Sequence, residues 1–341
     1  MKRIFILLMM SAFIFACSKD DAVEEFQQDT DSLNLTNDGK AQAESTTQML
    51  EFSSFDEMEG FIRELQESDA DLLDVARSRS AENGYHSLLF IYDSDLATLD
   101  ELGIKMEDVA IVHSYDDMLH LLLNKNGEVR VANQVFRVNG EFVYQYEQGA
   151  SEQIAGFLEN FNAGEIRIEK GDSQQISEEL LVYRHNNNED ISEDLEREAT
   201  TADNQRGVTH YDYFTGGQYR MRSRQFNGYW WFYSNLGFST KVQKRKRYWF
   251  FGWRYYWGTV KKYNRLNYEI NYTGNGVGYP SYTNSAQGFR YCFCNIARRT
   301  VDWSVGVPAA PFYYTINSGQ SVHWAHEFSV SPDTEHRTIT Y

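Results

Sequence analysis

Three arrangements of apolar residues follow one another along the 341-residue chain. An apolar run fills Ile4–Phe15, the three- and four-residue spacing of an amphipathic helix begins at Phe55, and the alternation typical of strands dominates beyond about residue 120. This order predicts an apolar leader, then a mixed region of helices and strands, and then a region built from strands.

Residues 48–185 are expected to form a small acidic α+β domain. A short strand at Met49–Phe52 precedes a helix that Ser54 and Glu57 open as a capping box. Apolar residues then recur on one face of this helix and of a second helix: Phe55, Met58, Ile62 and Leu65, followed by Leu72, Leu73 and Ala76.

Strand and turn signals fill the rest of this region. The apolar run Ser87–Tyr92 suits a buried strand, and Asn139–Gly140 between alternating segments is a strong hairpin signal. We also expect a turn at Asn124–Gly127, a helix over residues 151–161 and an extended segment at Glu165–Glu169.

Residues 207–341 are expected to form an all-β, β-sandwich-like domain. Turn residues recur at short intervals, and the segment Phe289–Cys294 alternates apolar and polar positions. The same alternation is clearest at Leu266, Tyr268, Ile270 and Tyr272. The fold class predicted for the chain is therefore an α+β domain followed by an all-β domain.

Charge divides the chain at the same place. Residues 17–206 carry 14 basic and 43 acidic residues, a net of −29, whereas residues 207–341 carry 16 and 6, a net of +10. All seven tryptophans also lie in the second part. We therefore expect two separately built domains joined by a polar linker over residues 186–206.

The leader has the pattern of an export signal. Lys2 and Arg3 precede an apolar run too short to span a bilayer, so residues 1–16 are expected to be a cleaved signal peptide. Ile14–Cys17 resembles a bacterial lipobox. That resemblance implies cleavage before Cys17 and acyl chains on this residue, palmitate among them, that anchor the protein to a membrane. The alternative is an ordinary signal peptide that happens to contain a cysteine.

Short motifs behind Cys17 bear on location. Lys19–Asp21 resembles the export signal of Bacteroidetes-type surface lipoproteins, and Asp31–Leu33 resembles the O-glycosylation site of that group. Residues 17–47 are otherwise polar and predict a flexible tether. The implied location is the outer membrane, lipid-anchored and exposed at the cell surface, with periplasmic retention as the alternative.

Residues 48–147 resemble an uncharacterised family of Bacteroidetes-type cell-surface lipoproteins. The likeness rests on Met49–Phe52 with its following helix, on a strand at Gly84–Leu88 and on a hairpin at Leu123–Val129. These motifs are structural, so the resemblance implies no activity.

The basic, aromatic part of the second domain is the candidate binding site. A strand turns Arg220, Arg222 and Arg224 to one face. Four basic residues at 244–247 lead into a hairpin with a tight turn at Phe251 and Gly252. The candidate ligand contacts in this hairpin are Trp249, Trp253, Arg254 and Trp257.

Three interpretations of this region remain. In the first, the rings fill the core and the domain interface, and the basic residues meet solvent or the acidic domain. In the second, rings stack on sugars and arginines pair with anionic groups. In the third, the hairpin lies among lipid headgroups. Nucleic acid is not expected as a partner, because the whole chain has a net charge of −17 and is exported.

Signals for catalysis or metal binding are weak. The sequence contains no nucleophile elbow, P-loop or dinucleotide fingerprint. His323 and His326 have helical metal-ligand spacing, but a strand would turn them to opposite faces. Cys292 and Cys294 share a strand face, either as two small half-buried side chains or as a redox-active pair. No cofactor or metal is expected.

We therefore expect a non-catalytic surface lipoprotein whose β-domain binds glycan or another anionic polymer. The first alternative is a structural or protein-docking lipoprotein of the outer membrane. The second is a hydrolase whose site the sequence does not reveal.

Overall fold

The computed structural model describes residues 48–341 apart from 113, 115, 148, 186–207, 249–253, 277–279, 307–311 and 327–333. The predicted signal peptide, Cys17, the tether and the linker lie outside the described residues, so these predictions stay predictions.

The first part of the described chain mixes helices with one mostly antiparallel sheet. The helices are α1 (Phe55–Glu67), α2 (Leu72–Asn83), α3 (Leu88–Asp93), α4 (Leu96–Glu101), α5 (Asp117–Leu122) and α6 (Ser151–Asn162), with a 3₁₀ turn at Met106–Asp108. The strands are β1 (Glu51–Phe52), β2 (Glu128–Val131), β3 (Gln134–Asn139), β4 (Phe142–Glu147), β5 (Ser173–Ser177) and β6 (Leu180–Arg184). They form the first sheet, in the order β1–β2–β3–β4–β6–β5.

Local signals place several of these elements where the sequence predicts them. The Ser54 hydroxyl accepts a hydrogen bond from the Glu57 amide at the start of α1, and Met58, Ile62 and Leu65 are buried. The β3–β4 hairpin turns at Asn139–Gly140, with Gly140 at a φ of 58°. These predictions are confirmed.

Two local predictions are wrong. Leu88–Asp93 is a helix and not a strand, because a short apolar run carries no period and the Ser87 hydroxyl caps the helix by accepting from the Phe90 amide. The Leu123–Val129 segment is a turn between α5 and β2 rather than a hairpin. Its Asn124 Oδ1 accepts from the amides of Asn126 and Glu128, which closes the turn. The segment Glu165–Glu169, which is predicted only to be extended, lies between α6 and β5.

The second part of the described chain forms two antiparallel sheets. Strands β7 (Val208–Phe214), β8 (Tyr219–Tyr229), β9 (Tyr233–Tyr248), β10 (Arg254–Val260) and β13 (Ile296–Val305) form the middle sheet. The long strand β9 pairs with β8 along one edge and with β10 and β13 along the other. Strands β11 (Lys262–Gly276), β12 (Tyr282–Cys294), β14 (Phe312–His326) and β15 (Thr334–Thr340) form the outer sheet, in the order β12–β11–β14–β15.

The middle and outer sheets face each other across an apolar core. Leu236 and Phe238 of β9 pack against Leu266 and Ile270 of β11 and Ile316 of β14. The predicted fold class, an α+β part followed by a β-sandwich-like part, is therefore confirmed.

The opposite face of the middle sheet packs against the helical part. Trp230, Phe232 and Ile296 belong to the same apolar cluster as Met58 of α1 and Leu119 of α5. The middle sheet is consequently covered on both faces, as expected of a sheet whose strands are buried almost throughout. Residues 46–341 form one compact unit, so the two parts that charge and composition distinguish share a core.

We predict that Phe232→Ala destabilises both parts together. Phe232 is fully buried, its ring lies 4.8 Å from that of Phe136, and its removal should cost about 3–5 kcal/mol. In urea unfolding, tryptophan fluorescence reports on the second part and far-ultraviolet circular dichroism includes the helices. Both midpoints should fall by the same amount. A fluorescence midpoint that falls while the helical signal is unmoved would contradict a shared core.

Candidate functional site

The structure turns the three predicted arginines toward the helical part. Arg220, Arg222 and Arg224 alternate along β8 and share one face of the middle sheet. Arg222 and Arg224 are each 7% exposed, and Nη2 of Arg222 lies 3.5 Å from Oδ1 of Asp117 in α5. Arg222 thus meets the acidic part of the chain, as the first of the three interpretations has it.

Arg220 and Trp257 remain close to the surface. The Arg220 guanidinium lies between the rings of Tyr211, at 4.3 Å, and Trp257, at 4.5 Å. Trp249 and Trp253 lie outside the described residues, and Arg254 is placed only as the first residue of β10. Ligand binding by these residues stays a prediction.

A buried carboxylate joins the helices to the middle sheet. Asp116, 1% exposed, caps α5 by accepting hydrogen bonds from the amides of Met118 and Leu119. It also accepts from Arg298 Nη2 at 2.8 Å and from the Tyr233 hydroxyl at 2.9 Å. Burial alone would lower the pKa of Arg298, but Asp116 raises it above its ordinary value. Arg298 therefore stays protonated next to Asp116.

Electrostatics around Asp117 are less balanced. Burial would raise the pKa of Asp117, but Lys241, Arg222 and Arg224 together hold it well below its usual range. Burial in turn lowers the pKa of Lys241 to about 7, and the pKa of His120 to about 4. More positive than negative charge is buried at this position.

Further hydrogen bonds and ion pairs surround this joint between the helices and the second part of the chain. Asp71 Oδ2 accepts from the Asn295 amide at 2.5 Å, and Asp74 Oδ2 lies 2.7 Å from Lys261 Nζ. Asp69 pairs with Arg290 and Arg299. The acidic and basic parts of the sequence are thus complementary surfaces of one interface.

We predict very different costs for neutralising two neighbouring arginines. Arg298→Met leaves Asp116 buried without its cation, and loss of one partner of a buried pair costs about 3–5 kcal/mol. Arg299→Met breaks a pair with the half-exposed Asp69 and should cost about 0–1 kcal/mol. Urea titrations of both variants measure the difference. Equal losses would show that Asp116 does not depend on Arg298.

The solvent-exposed face of the outer sheet carries a row of rings. Phe289, Tyr291 and Phe293 on β12 are 54%, 45% and 58% exposed. Tyr263 of β11 extends the row, with its ring 5.0 Å from that of Phe293 and 5.9 Å from that of Tyr291. Single exposed rings are common on protein surfaces, but a contiguous row marks an interaction site.

An arginine lies among these rings. The Arg265 guanidinium is 4.4 Å from the Trp324 ring and 5.4 Å from the Phe289 ring. The β11 register places Arg265 between Tyr291 on one side and Trp324 on the other. We call Tyr263, Arg265, Phe289, Tyr291, Phe293 and Trp324 the aromatic face.

A groove of about 450 Å³ adjoins the aromatic face. Phe289 forms one side of it, and Asn267, Glu269, Gln287 and Gln320 supply amide and carboxylate groups. An exposed ring beside several polar side chains is the arrangement expected of a site that stacks on one face of a ligand and hydrogen-bonds its edge.

Phe289–Cys294 alternates apolar and polar positions, as expected of a half-buried strand. Its rings, however, point to solvent and not into the core. Inside the sandwich, the Tyr268 ring of β11 occupies the space that a Cβ at Gly288 would need, at 2.4 Å. Strand β12 therefore turns small residues such as Ala286 and Gly288 inward and its rings to solvent. The signal missed in the sequence was this pairing of large β11 residues with small β12 residues.

The remaining candidate residues have structural contacts. His323 is fully buried and lies 2.7 Å through Nδ1 from the Thr240 hydroxyl, while His326 is on the opposite face of β14. Cys292 and Cys294 are joined by a disulfide. Among the residues that the structure describes, no group of three or more His, Cys, Asp or Glu residues has metal-binding geometry.

Comparison with known proteins adds no assignment: no family model, curated protein or solved structure matches the chain. None of the described helices has the length and apolar character needed to cross a membrane.

Proposed function

We propose that this protein is a lipid-anchored surface protein whose aromatic face and adjoining groove bind a glycan without cleaving it. The observation that carries the proposal is the row of exposed rings at Phe289, Tyr291 and Phe293 beside the polar groove. The C–H faces of sugar rings stack on aromatic rings, and their hydroxyls hydrogen-bond to amide and carboxylate groups of the kind that line this groove.

The shape of the site favours a chain over a small ligand. The aromatic face follows β12 over five residues, and strand geometry gives about 3.4 Å per residue. A row of this length matches several sugar units more closely than one. Arg265 lies within the row and supplies a cation for an acidic substituent.

The acid content of the groove favours binding over hydrolysis. Among the described lining residues, Glu269 is the one carboxylate. Glycoside hydrolysis ordinarily requires two carboxyl groups at a defined separation. We therefore propose recognition as the activity of this site.

We predict that Phe289→Ala and Tyr291→Ala each weaken glycan binding about tenfold, because one ring contact contributes about 0.5–1.5 kcal/mol. Glycan arrays with the full chain identify the ligand, and calorimetry measures the affinity of each variant. The melting temperature should not change, since both rings are exposed. Tyr213→Ala is a matched control, because Tyr213 is 49% exposed but lies on the middle sheet.

Two results would count against this proposal. A chain that binds nothing on acidic and neutral glycan arrays has no glycan-binding role. Binding that survives both substitutions but is lost in Trp257→Ala would return the site to the β9–β10 hairpin.

The anchor has its own test. We predict that the mature protein starts at Cys17 and carries a diacylglycerol thioether with a further acyl chain, which mass spectrometry of the N-terminal peptide detects. Cys17→Ser should leave the protein unacylated and lost from the membrane fraction. Protease treatment of intact cells, with a periplasmic lipoprotein as the protected control, distinguishes surface exposure from retention. An unmodified thiol or a different mature start would contradict the anchor.

A further inference from the structure

Arg265 lies in the middle of the aromatic face, between rings on both neighbouring strands. Its position on β11 is opposite Tyr291 of β12 and Trp324 of β14. The guanidinium is 4.4 Å from the Trp324 ring and 5.4 Å from the Phe289 ring. Both rings are within reach of a cation–π contact, so they hold the guanidinium close to the sheet rather than extended into solvent.

The side chains next to Arg265 on this face of β11, β12 and β14 carry no negative charge. Along β11 they are Tyr263 and Asn267, and across from it they are the two rings. Glu269 is the first carboxylate on the same face of β11, and four residues of strand place it about 14 Å away. The immediate neighbours on these strands therefore supply no counter-ion for the guanidinium.

Arg220 of the middle sheet is a similar arginine whose hydrogen bond is made within the protein. Its guanidinium also lies between two rings, those of Tyr211 and Trp257, but its Nε donates to Gln243 Oε1 at 2.9 Å. Nε of Arg265 has no hydrogen-bond partner among the described residues. Arg265 consequently has hydrogen-bonding capacity that the described protein groups do not use.

We propose, building on the glycan-binding role above, that the ligand contains uronic acid and that Arg265 binds its carboxylate. The planar guanidinium and the planar carboxylate pair through two parallel hydrogen bonds. Asn267 lines the groove two residues further along the same face, and its Oδ1 has no described partner. This amide oxygen accepts a hydrogen bond from a hydroxyl of the same sugar.

The closeness of the guanidinium to the rings favours a uronate over a sulfated sugar. In a uronic acid the carboxylate carbon is bonded directly to the sugar ring, whereas a sulfate ester is separated from the ring by an oxygen. A sugar that stacks on Phe289 therefore brings a directly attached carboxylate to the level of Arg265, 5.4 Å from that ring.

Charge on a larger scale agrees with an acidic ligand. Residues 207–341, which include the whole outer sheet, carry 16 basic and 6 acidic residues, a net of +10. An acidic polymer is attracted to this part of the chain, and Arg265 gives the attraction a specific contact.

Calorimetric titration of the full chain with matched ligands tests uronate recognition. The probes are short oligomers of galacturonic, glucuronic, mannuronic and guluronic acid, and their methyl esters, which keep every hydroxyl but lose the charge. The uronate that binds most tightly should bind at least about tenfold more tightly than its ester, because a charge-assisted pair is stronger than a neutral hydrogen bond. A sulfated neutral oligosaccharide and an oligoglutamate should bind no more tightly than the ester.

Substitutions at Arg265 should change the preference for the acid and not the affinity for the ester. Arg265→Gln should abolish the preference, and Arg265→Lys should restore only part of it, because an ammonium keeps the charge but not the planar fork. Asn267→Asp places a carboxylate two residues from Arg265 and should weaken uronate binding about tenfold through repulsion and competition for the guanidinium. This variant keeps the size of the side chain and does not depend on the folding of Arg265→Gln.

Arg63→Gln is the charge-matched control. Arg63 is an exposed residue of α1 that pairs with Glu59, so its substitution removes one positive charge far from the outer sheet in sequence and should keep the full preference. Each variant is compared as a ratio of two affinities measured on one sample, so a partial loss of folded protein does not alter the result.

The outcomes separate uronate recognition from glycan binding in general. Equal affinities for each uronate and its ester, a preference that survives Arg265→Gln, or equal binding of oligoglutamate would overturn uronate recognition and leave the glycan-binding role intact. The same holds if neutral glycans bind through Phe289 and no uronate binds. A chain that binds no glycan contradicts both.

Discussion

The structure depends on the carboxylate of Asp116 and the four groups that it binds. Two are backbone amides at the start of α5, and the other two are Arg298 and Tyr233 of the middle sheet. One buried side chain thus fixes both where a helix begins and which surface that helix packs against. A buried ion pair adds little stability by itself, but an unpaired buried charge is costly, so the arrangement excludes other ways of placing the helices on the sheet. Our hypothesis is that the pair of Asp116 and Arg298 selects one packing of the helices on the sheet.

This contact explains why the charge division in the sequence does not lead to two detached domains. A strongly acidic part and a basic part of one chain are expected to attract each other. In the structure the attraction is local: Asp69, Asp71 and Asp74 lie at the rim of the joint, and Asp116 lies at its centre. The apolar cluster around Phe232 contains buried residues of both parts, so apolar packing and charged contacts join them together.

The sequence predicted the elements better than it predicted their surroundings. Capping residues and turn glycines act within a few residues, so α1 and the β3–β4 hairpin were predictable from Ser54 and Asn139–Gly140. The prediction of a strand at Leu88–Asp93 was wrong because this apolar run is shorter than two helical turns and shows no period. Alternation correctly placed Arg220, Arg222 and Arg224 on one face, and rings at every second position of β12. Which side of a sheet is covered depends on partners distant in sequence, and a two-residue period contains no information about them.

The order of the layers is what leaves a surface for a ligand. The middle sheet lies between the helical part and the outer sheet, so most of its large side chains are buried by contacts within the molecule. The outer sheet has one covered face and one exposed face, and large residues of β11 fill the covered side. The rings on β12 consequently find no space between the two sheets. They lie on the exposed face because the residues of the opposite strands already fill the core. A ring held on a rigid strand loses little conformational freedom on binding, which is the property that a stacking platform for a flexible chain requires.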